Sequence, residues 1–417
     1  MERIKEYVRN SSFHGFHYMA DPNRHWSERV FWALVFCISG YYMRSFLKNV
    51  FDVFQHYSVN LVMDTDYLEW NTTFPAISVC EHESPDKLFE VCKNLFGPNR
   101  DLNIDFFVRD VVFFDGVCYS CTQCMEGTLN CSENFDLLIK KIKGDCETII
   151  QDCTWNEKPF KCCDNFLPLL TETGLCFTIN SIQTKKKNGI PLLVSNGRTG
   201  PGLLQLRVTE SIKLYIHSSE EVPFMNHYQN EKILLNWGST YTARLQIKAI
   251  KNDQNLLSVD IEKRQCRLPQ EHNLRVYNVY GYSACVVDCR SRVQMILCNC
   301  TSHYIPYNNK EGVLTCGIEG LSCLTTYAEL LRNLRKEDLN KFGIKECDCL
   351  SSCDEPEYEF IISKVEINKK NFKNTNGTKI NIGLDKLPTE RYKRTIVRTQ
   401  LDLIGTYIQL ISHWLRY

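Results

Sequence analysis

The sequence predicts an α+β membrane protein: one N-terminal transmembrane helix, then a disulfide-rich domain outside the cell. Three observations lead there. An apolar run stands near the N-terminus, the 417 residues include 22 cysteines, and alternating apolar stretches are interleaved with amphipathic ones. The length allows two or three domains with a sizeable core. Lys plus Arg and Asp plus Glu both number 49, a net charge of zero. That argues against nucleic acid as a partner, because a nucleic-acid-binding face is basic.

The first 29 residues carry Arg3, Lys5, Arg9, Arg24 and Arg29. Basic charge on this side of the apolar run places residues 1–29 in the cytoplasm. The run Val30–Met43 is too short alone, since a span needs about 20 residues. It continues through Phe46, Leu47, Val50, Phe51, Val53 and Phe54. Arg44 and Lys48 interrupt it; they snorkel to the outer headgroups or face protein. Residues 30–54 therefore read as one tilted transmembrane helix. A secretory leader is the rival reading, but 29 residues precede the run and no small-residue cleavage site follows it, so a signal anchor fits better.

Cysteine usage agrees with that orientation. Cys37 alone precedes residue 80, and the other 21 lie from Cys80 to Cys353. Such density suits an oxidising compartment. A cytosolic zinc protein is the alternative, resting on Cys118, Cys121 and Cys124, but no second pair follows at zinc-ribbon distance. No metal and no cofactor are therefore expected. An odd count of 21 leaves one thiol free or paired between chains. Glycosylation sequons at Asn71, Asn130, Asn299 and Asn376 all fall in the same region. Asn10-Ser-Ser also matches the pattern, on the cytoplasmic side.

Residues 55–404 read as the cysteine-rich extracellular domain. Leu204, Leu206 and Val208 alternate with polar neighbours, as do Ile212, Leu214 and Ile216, then Leu245, Ile247 and Ala249. These are strands, and Tyr358 to Ile367 is β-rich as well. Thr325 to Lys341 sets Leu330, Leu331 and Leu334 on one helical side, and Val276 to Leu297 has mixed helical spacing. Lys185 to Lys187 reads as a solvated loop. Cys285 and Cys289, at i and i+4, stand about 6 Å apart on one helix face. Cys347 and Cys349, at i and i+2, stand roughly 6.6 Å apart on one strand face. A strand along that helix could carry two rungs, 285–349 and 289–347, among the roughly 945 pairings that ten cysteines allow. The tail from Leu401 to Tyr417, with Asp402, His413 and Arg416, is a poor span and reads as a short amphipathic helix at the membrane surface.

Several segments together resemble one family. His14-Gly15, before the span, is similar to a cytoplasmic gating motif. Phe74-Pro-Ala-Ile-Ser-Val-Cys80 resembles FPAVTIC, and Ile212 to Pro223 resembles GIKVLIHSPDEFP. Tyr282-Ser-Ala-Cys285-Val-Val-Asp-Cys289-Arg290, Cys298-Asn-Cys300 and Cys347-Asp-Cys349-Leu-Ser-Ser-Cys353 resemble a thumb signature. The set is that of the degenerin/epithelial sodium channel family, in its insect pickpocket branch. The resemblance implies a β-sheet palm, a helical finger, and a thumb at about 266–353. It also implies the bridges Cys266–Cys353, Cys285–Cys349, Cys289–Cys347, Cys298–Cys323, Cys300–Cys316 and, in the palm, Cys80–Cys176. Nine cysteines from Cys92 to Cys163 exceed the acid-sensing branch and suit insect members.

The implied function is a subunit of a trimeric, voltage-independent, amiloride-sensitive sodium channel, gated by ligand or force. It would sit in the plasma membrane as a homo- or hetero-trimer with related subunits, sodium being the permeant ion. Arg398 to Ile404 resembles the approach to the second pore helix, whereas 405–417 diverges and lacks the Gly-x-Ser of the filter. That places pore formation by this form in question and suggests a second reading, a single-pass surface protein with a binding or dominant-negative regulatory role. An enzyme is not expected: no metalloprotease, nucleophile-elbow or phosphate-loop motif is present, and His217 and His303 are isolated.

Overall fold

The computed structural model describes residues 18–19, 21, 23–56, 59–64, 70–129, 131–184, 191–226, 232–235, 238–271, 274–305, 314–354, 356–366, 377–388, 391–396 and 400–416. The chain divides into two units. One comprises residues up to 63, 251–265 and 392–417; the other comprises 64–250 and 266–391.

In chain order the smaller unit begins with α1 (Trp26–His56) and β1 (Val59–Asp64). Helix α1 starts four residues before the apolar run and ends two residues after it. Among the described residues it is the helix long and apolar enough to cross a membrane, over Trp26–Phe54. Phe31, Leu34, Ile38, Tyr41, Tyr42 and Phe46 stand exposed along it.

The larger unit follows with β2 (Thr72–Thr73), β3 (Ala76–Glu81), and the helices α2 (Pro85–Phe96), α3 (Asn103–Val112), α4 (Ser120–Met125), α5 (Phe135–Ile142) and α6 (Cys146–Ile149). Pro85 opens α2 where its missing N–H costs nothing, and Gly97 ends it at φ 89°. Asn134 caps α5, its side-chain oxygen accepting from Leu137 N at 3.0 Å. Next come β4 (Ile150–Trp155), β5 (Lys158–Pro159), α7 (Cys162–Asn165), β6 (Leu167–Thr171), β7 (Gly174–Ile179), β8 (Val194–Ser195), β9 (Leu203–Val208), β10 (Ile212–His217), β11 (Lys232–Leu235) and β12 (Ser239–Asn252). After α8 (Ile261–Arg264) in the smaller unit, the larger unit resumes with α9 (Tyr282–Cys298), α10 (Ile318–Thr326), α11 (Ala328–Asn333), α12 (Lys336–Lys341), β13 (Glu357–Glu366) and β14 (Thr378–Leu384). Strand β15 (Arg391–Ile396) and helix α13 (Gln400–Arg416) complete the chain.

Two sheets form the palm of the larger unit. One runs β11-β10-β3-β7-β6; the other runs β12-β14-β9-β4-β5, with β13 also paired to β12. Their alternating residues meet in one apolar core that includes Ile77, Val79, Leu204, Leu206, Val208, Leu245, Ile380 and Ile382. Every residue of β3 is buried, as a central strand covered on both faces requires. Gly202, at φ +80°, turns the chain into β9; a Cβ there would lie 2.6 Å from the Trp155 ring and from Ser195 Oγ, so only glycine fits. A second core joins finger and thumb: Phe107, Val111 and Ile142 pack in one cluster with Val293, Tyr304, Leu321 and Leu339.

Two helical readings need correction. Thr325 to Lys341 is not one helix but the end of α10, then α11 and α12. Leu334 takes a left-handed conformation at φ 48° and stops α11, and of the three leucines only Leu331 is fully buried. Val276 to Gly281 is not helical either; α9 starts at Tyr282 behind Gly281. The amides of Arg275 and Val276 instead donate to the Asp288 carboxylate, which fixes a bent, non-helical approach to the helix.

In the smaller unit β1 pairs with β15, and Lys393 Nζ meets Asp253 Oδ2 at 3.0 Å. The tail forms α13, and the Tyr407 hydroxyl donates to the Leu47 carbonyl of α1 at 3.1 Å. The C-terminal segment is thus packed on α1 rather than standing alone.

Candidate functional site in the thumb

The site is built on α9. A helix start leaves backbone N–H groups without partners. Here Glu221, from the segment after β10, accepts from Tyr282 N and Ser283 N at 2.6 Å each. A carboxylate at this end also suits the helix dipole. Gly281 makes room: a Cβ would stand 2.7 Å from the Glu220 carbonyl. Asn299 ends the helix in a left-handed conformation at φ 55°.

One turn apart on α9, Cys285 is bonded to Cys349 and Cys289 to Cys347, with Cα separations of 5.7 and 5.8 Å. The near-equal spacing gives a two-rung ladder along the helix. The structure also joins Cys266 to Cys353, Cys298 to Cys323 and Cys300 to Cys316 in the thumb, and Cys80 to Cys176 across β3 and β7. Around the finger it joins 118 to 121, 124 to 131, 146 to 163 and 153 to 162. Cys118, Cys121 and Cys124 are thus all in disulfides, which removes the zinc alternative. Cys37 and Cys92 carry no disulfide. Cys92 is the odd thiol; burial, then neighbouring Asp105, pushes it up to about 12, so it stays protonated.

Next to Cys289 sits the residue that sequence reasoning missed. Arg290 is buried, with its side chain 1% exposed, and it pairs with Glu172 in the β6–β7 turn, 2% exposed. Its Nε donates to the Leu331 carbonyl at 2.7 Å and its Nη2 to Asn226 Oδ1. Glu172 also accepts from Met225 N, and Asn226 Nδ2 donates to the Arg332 carbonyl. Four segments are tied at one guanidinium: the palm turn, residues 225–226, α9 and α11. Arginine suits this, because its planar fork donates in several fixed directions while keeping its charge. A sequence separation of 118 between the partners gave no local signal, although Arg290 directly after Cys289 was part of the thumb motif.

The two candidate histidines have structural settings. His217 Nε2 is 2.8 Å from Ser78 Oγ, which is 2.7 Å from Thr178 Oγ1; its Nδ1 is 2.8 Å from the Ser218 carbonyl. His303 Nε2 donates to the Val111 carbonyl at 3.0 Å. Burial pulls His303 down to about 4, so it is neutral. No group of three metal-binding side chains occurs among the described residues. Asn71 and Asn299 are exposed, and Asn71 Oδ1 accepts from Asn196 Nδ2 at 2.8 Å. His14, Gly15, Asn130, Asn376 and Lys185 to Lys187 lie outside the described residues.

A family model described as amiloride-sensitive sodium channel matches residues 7–410. Pickpocket protein 11 of Drosophila melanogaster is 22% identical over 270 residues, covering 62% of this chain and 49% of the relative. Sodium channel protein Nach of Drosophila ananassae is 22% identical over 383 residues, covering 86% and 71%. The matched stretch thus spans about half of the first relative's length. Among solved structures, a proton-activated chloride channel gives a TM-score of 0.31 at 6% identity, covering 92% of this chain and 91% of that one, too low to carry an argument.

Proposed function

Because this chain belongs to the amiloride-sensitive sodium channel family, whose members are channels and not enzymes, we propose that it is a subunit of a trimeric, voltage-independent, amiloride-sensitive sodium channel, gated by an extracellular ligand or by force. The observation that carries the reading is the family match over residues 7–410, running from before the apolar helix α1 through the disulfide-braced body. In this reading residues 1–29 are cytoplasmic, α1 spans the plasma membrane and the body lies outside, glycosylated at Asn71, Asn130, Asn299 and Asn376. Partners are further copies or related subunits, and sodium is the permeant ion. His14 and Gly15 act in gating.

The geometry supports a route for the stimulus. The thumb is stiffened by five disulfides, and it shares a core with the finger helices. The Arg290–Glu172 pair then joins α9 to the palm turn. A force or ligand that moves the thumb is passed to the palm at that pair.

The test is expression in oocytes, alone and with a pickpocket-type subunit. An amiloride-blocked sodium current in either arm supports the channel reading. A surface-expressed chain that assembles with the partner and suppresses its current supports the regulatory role instead. A chain that reaches the surface, assembles with nothing and alters no current overturns both.

A further inference from the structure

The fold treats the glycosylation patterns at Asn71 and Asn299 differently. The pattern Asn-x-Ser/Thr requires a hydroxyl two residues after the acceptor, so the enzyme that attaches the sugar holds both side chains at once. An extended segment points residues i and i+2 to the same side. Asn71-Thr72-Thr73 fits that demand: Asn71 and Thr73 are exposed, with Thr72 buried between them.

Asn299-Cys300-Thr301 does not fit it. Asn299 is left-handed at φ 55° and ψ 20°, and its amide donates to the Met295 carbonyl at 3.0 Å to end α9. Thr301, by contrast with exposed Asn299, is only 3% exposed. Both backbone groups of Thr301 are engaged: its N–H donates to the Leu314 carbonyl and its carbonyl accepts from Cys316 N, each at 2.9 Å. The next amide, Ser302 N, donates to Gln294 Oε1 at 3.1 Å. The acceptor is also bracketed by two disulfides, Cys298 to Cys323 and Cys300 to Cys316. A Cβ on Gly320 of α10 would stand 2.5 Å from Cys300 Sγ, so that helix closes tightly over the second bridge.

We propose that Asn299 is a time-limited acceptor: it takes its sugar only before the Cys300–Cys316 bridge closes, so thumb oxidation and glycosylation compete for the same three residues. The inference rests on the body lying outside the cell, as read above. In the unfolded chain residues 299–301 extend and present both side chains. Once the thumb has closed, presenting Thr301 means breaking its two backbone bonds inside a doubly stapled segment, and such an opening is rare. A sugar attached earlier fits the finished fold, because Asn299 itself is exposed.

The two competing steps are ordinary chemistry. Glycosylation joins Asn299 Nδ2 to the anomeric carbon of an oligosaccharide and breaks that carbon's bond to a lipid pyrophosphate, which leaves; one amide proton is released. Closing the bridge joins Cys300 Sγ to Cys316 Sγ, and two electrons and two protons pass to a donor disulfide, which leaves as a dithiol.

The test is pulse-labelled synthesis of the full chain in insect cells, with sugars counted by glycosidase digestion on a gel. Asn71→Gln and Asn299→Gln identify the mobility step that belongs to each site. Wild type is made with and without dithiothreitol, and Cys316→Ser, which opens the bridge and leaves the pattern intact, is made without it. The share of chains carrying sugar at Asn299 should be partial in untreated wild type and should rise in both other arms, while the share at Asn71 stays constant. Transfer precedes folding, so the readout does not require Cys316→Ser to fold. Sugar at Asn71 with an Asn299 share that neither arm changes, whatever its value, overturns this proposal alone. No sugar at either site in any arm overturns the outside placement of the body, and this proposal with it.

Discussion

The Arg290–Glu172 pair gives the sharpest prediction about what holds thumb to palm. Both side chains are at most 2% exposed, so removing one partner strands the other's charge away from water. That costs about 3–5 kcal/mol, whereas replacing both with apolar residues is often neutral or stabilising. For a unit of about 300 residues, with unfolding entropy near 2.1 cal/mol/K per residue, the loss is a fall of roughly 5–8 °C in Tm. Glu172→Gln keeps the shape and removes only the charge, and Arg290→Met keeps most of the stem. Each should melt that much lower, followed by the fraction of full-length chain that survives heating in detergent. Glu172→Leu combined with Arg290→Met should fall by clearly less than the sum of the single losses, because no charge is then stranded and only the neutral partners Met225 N, Asn226 and the Leu331 carbonyl lose a bond. If the double variant falls by the sum of the single ones, or Glu172→Gln melts like wild type, the pair is not the junction described.

Three further outcomes follow. His303, neutral and held at about 4, should make acid destabilising: the unfolded chain binds a proton that the folded one refuses, so stability present above pH 6.5 is lost as pH falls towards 4. The loss is up to about 3 kcal/mol, and denaturation midpoints at pH 7 and 4.5 should show His303→Phe without this term. Cutting the Cys285–Cys349 rung leaves Cys289–Cys347 holding the same two segments, so only a short loop is released and the cost should be about 2–3 kcal/mol in chain entropy; Cys285→Ser, Cys349→Ser and the double variant should melt alike. Gly202→Ala should lose about 1–3 kcal/mol to overpacking against Trp155, seen as a lower Tm than an alanine at exposed Gly127.

Much of the palm was legible because its strands alternate. Leu204, Leu206 and Val208 face one core, as a period of two requires. The two thumb rungs were legible for a geometric reason, although Cys347 and Cys349 lie outside any strand: four residues of helix and two of extended chain span nearly the same distance. The finger bridges were not, since nine closely spaced cysteines offer many pairings without a spacing that prefers one. The break at Leu334 was hidden because leucine favours helix, and nothing local announces a left-handed residue. Glu172 was illegible for a different reason. Its partners come from segments that only the folded chain brings together, and an isolated acidic residue reads as solvated surface.

The solitary thiol of Cys92 has a consequence for biogenesis. Oxidation of an odd set must leave one sulfur over, and any of the twenty-one could be stranded while pairs are still being exchanged. In the finished fold the leftover is sealed inside the finger beside a carboxylate, where it cannot ionise or meet a reagent. Mature molecules should therefore ignore maleimides at this position, whereas mispaired ones expose a reactive sulfur. Alkylation during secretion would separate the two populations on a gel.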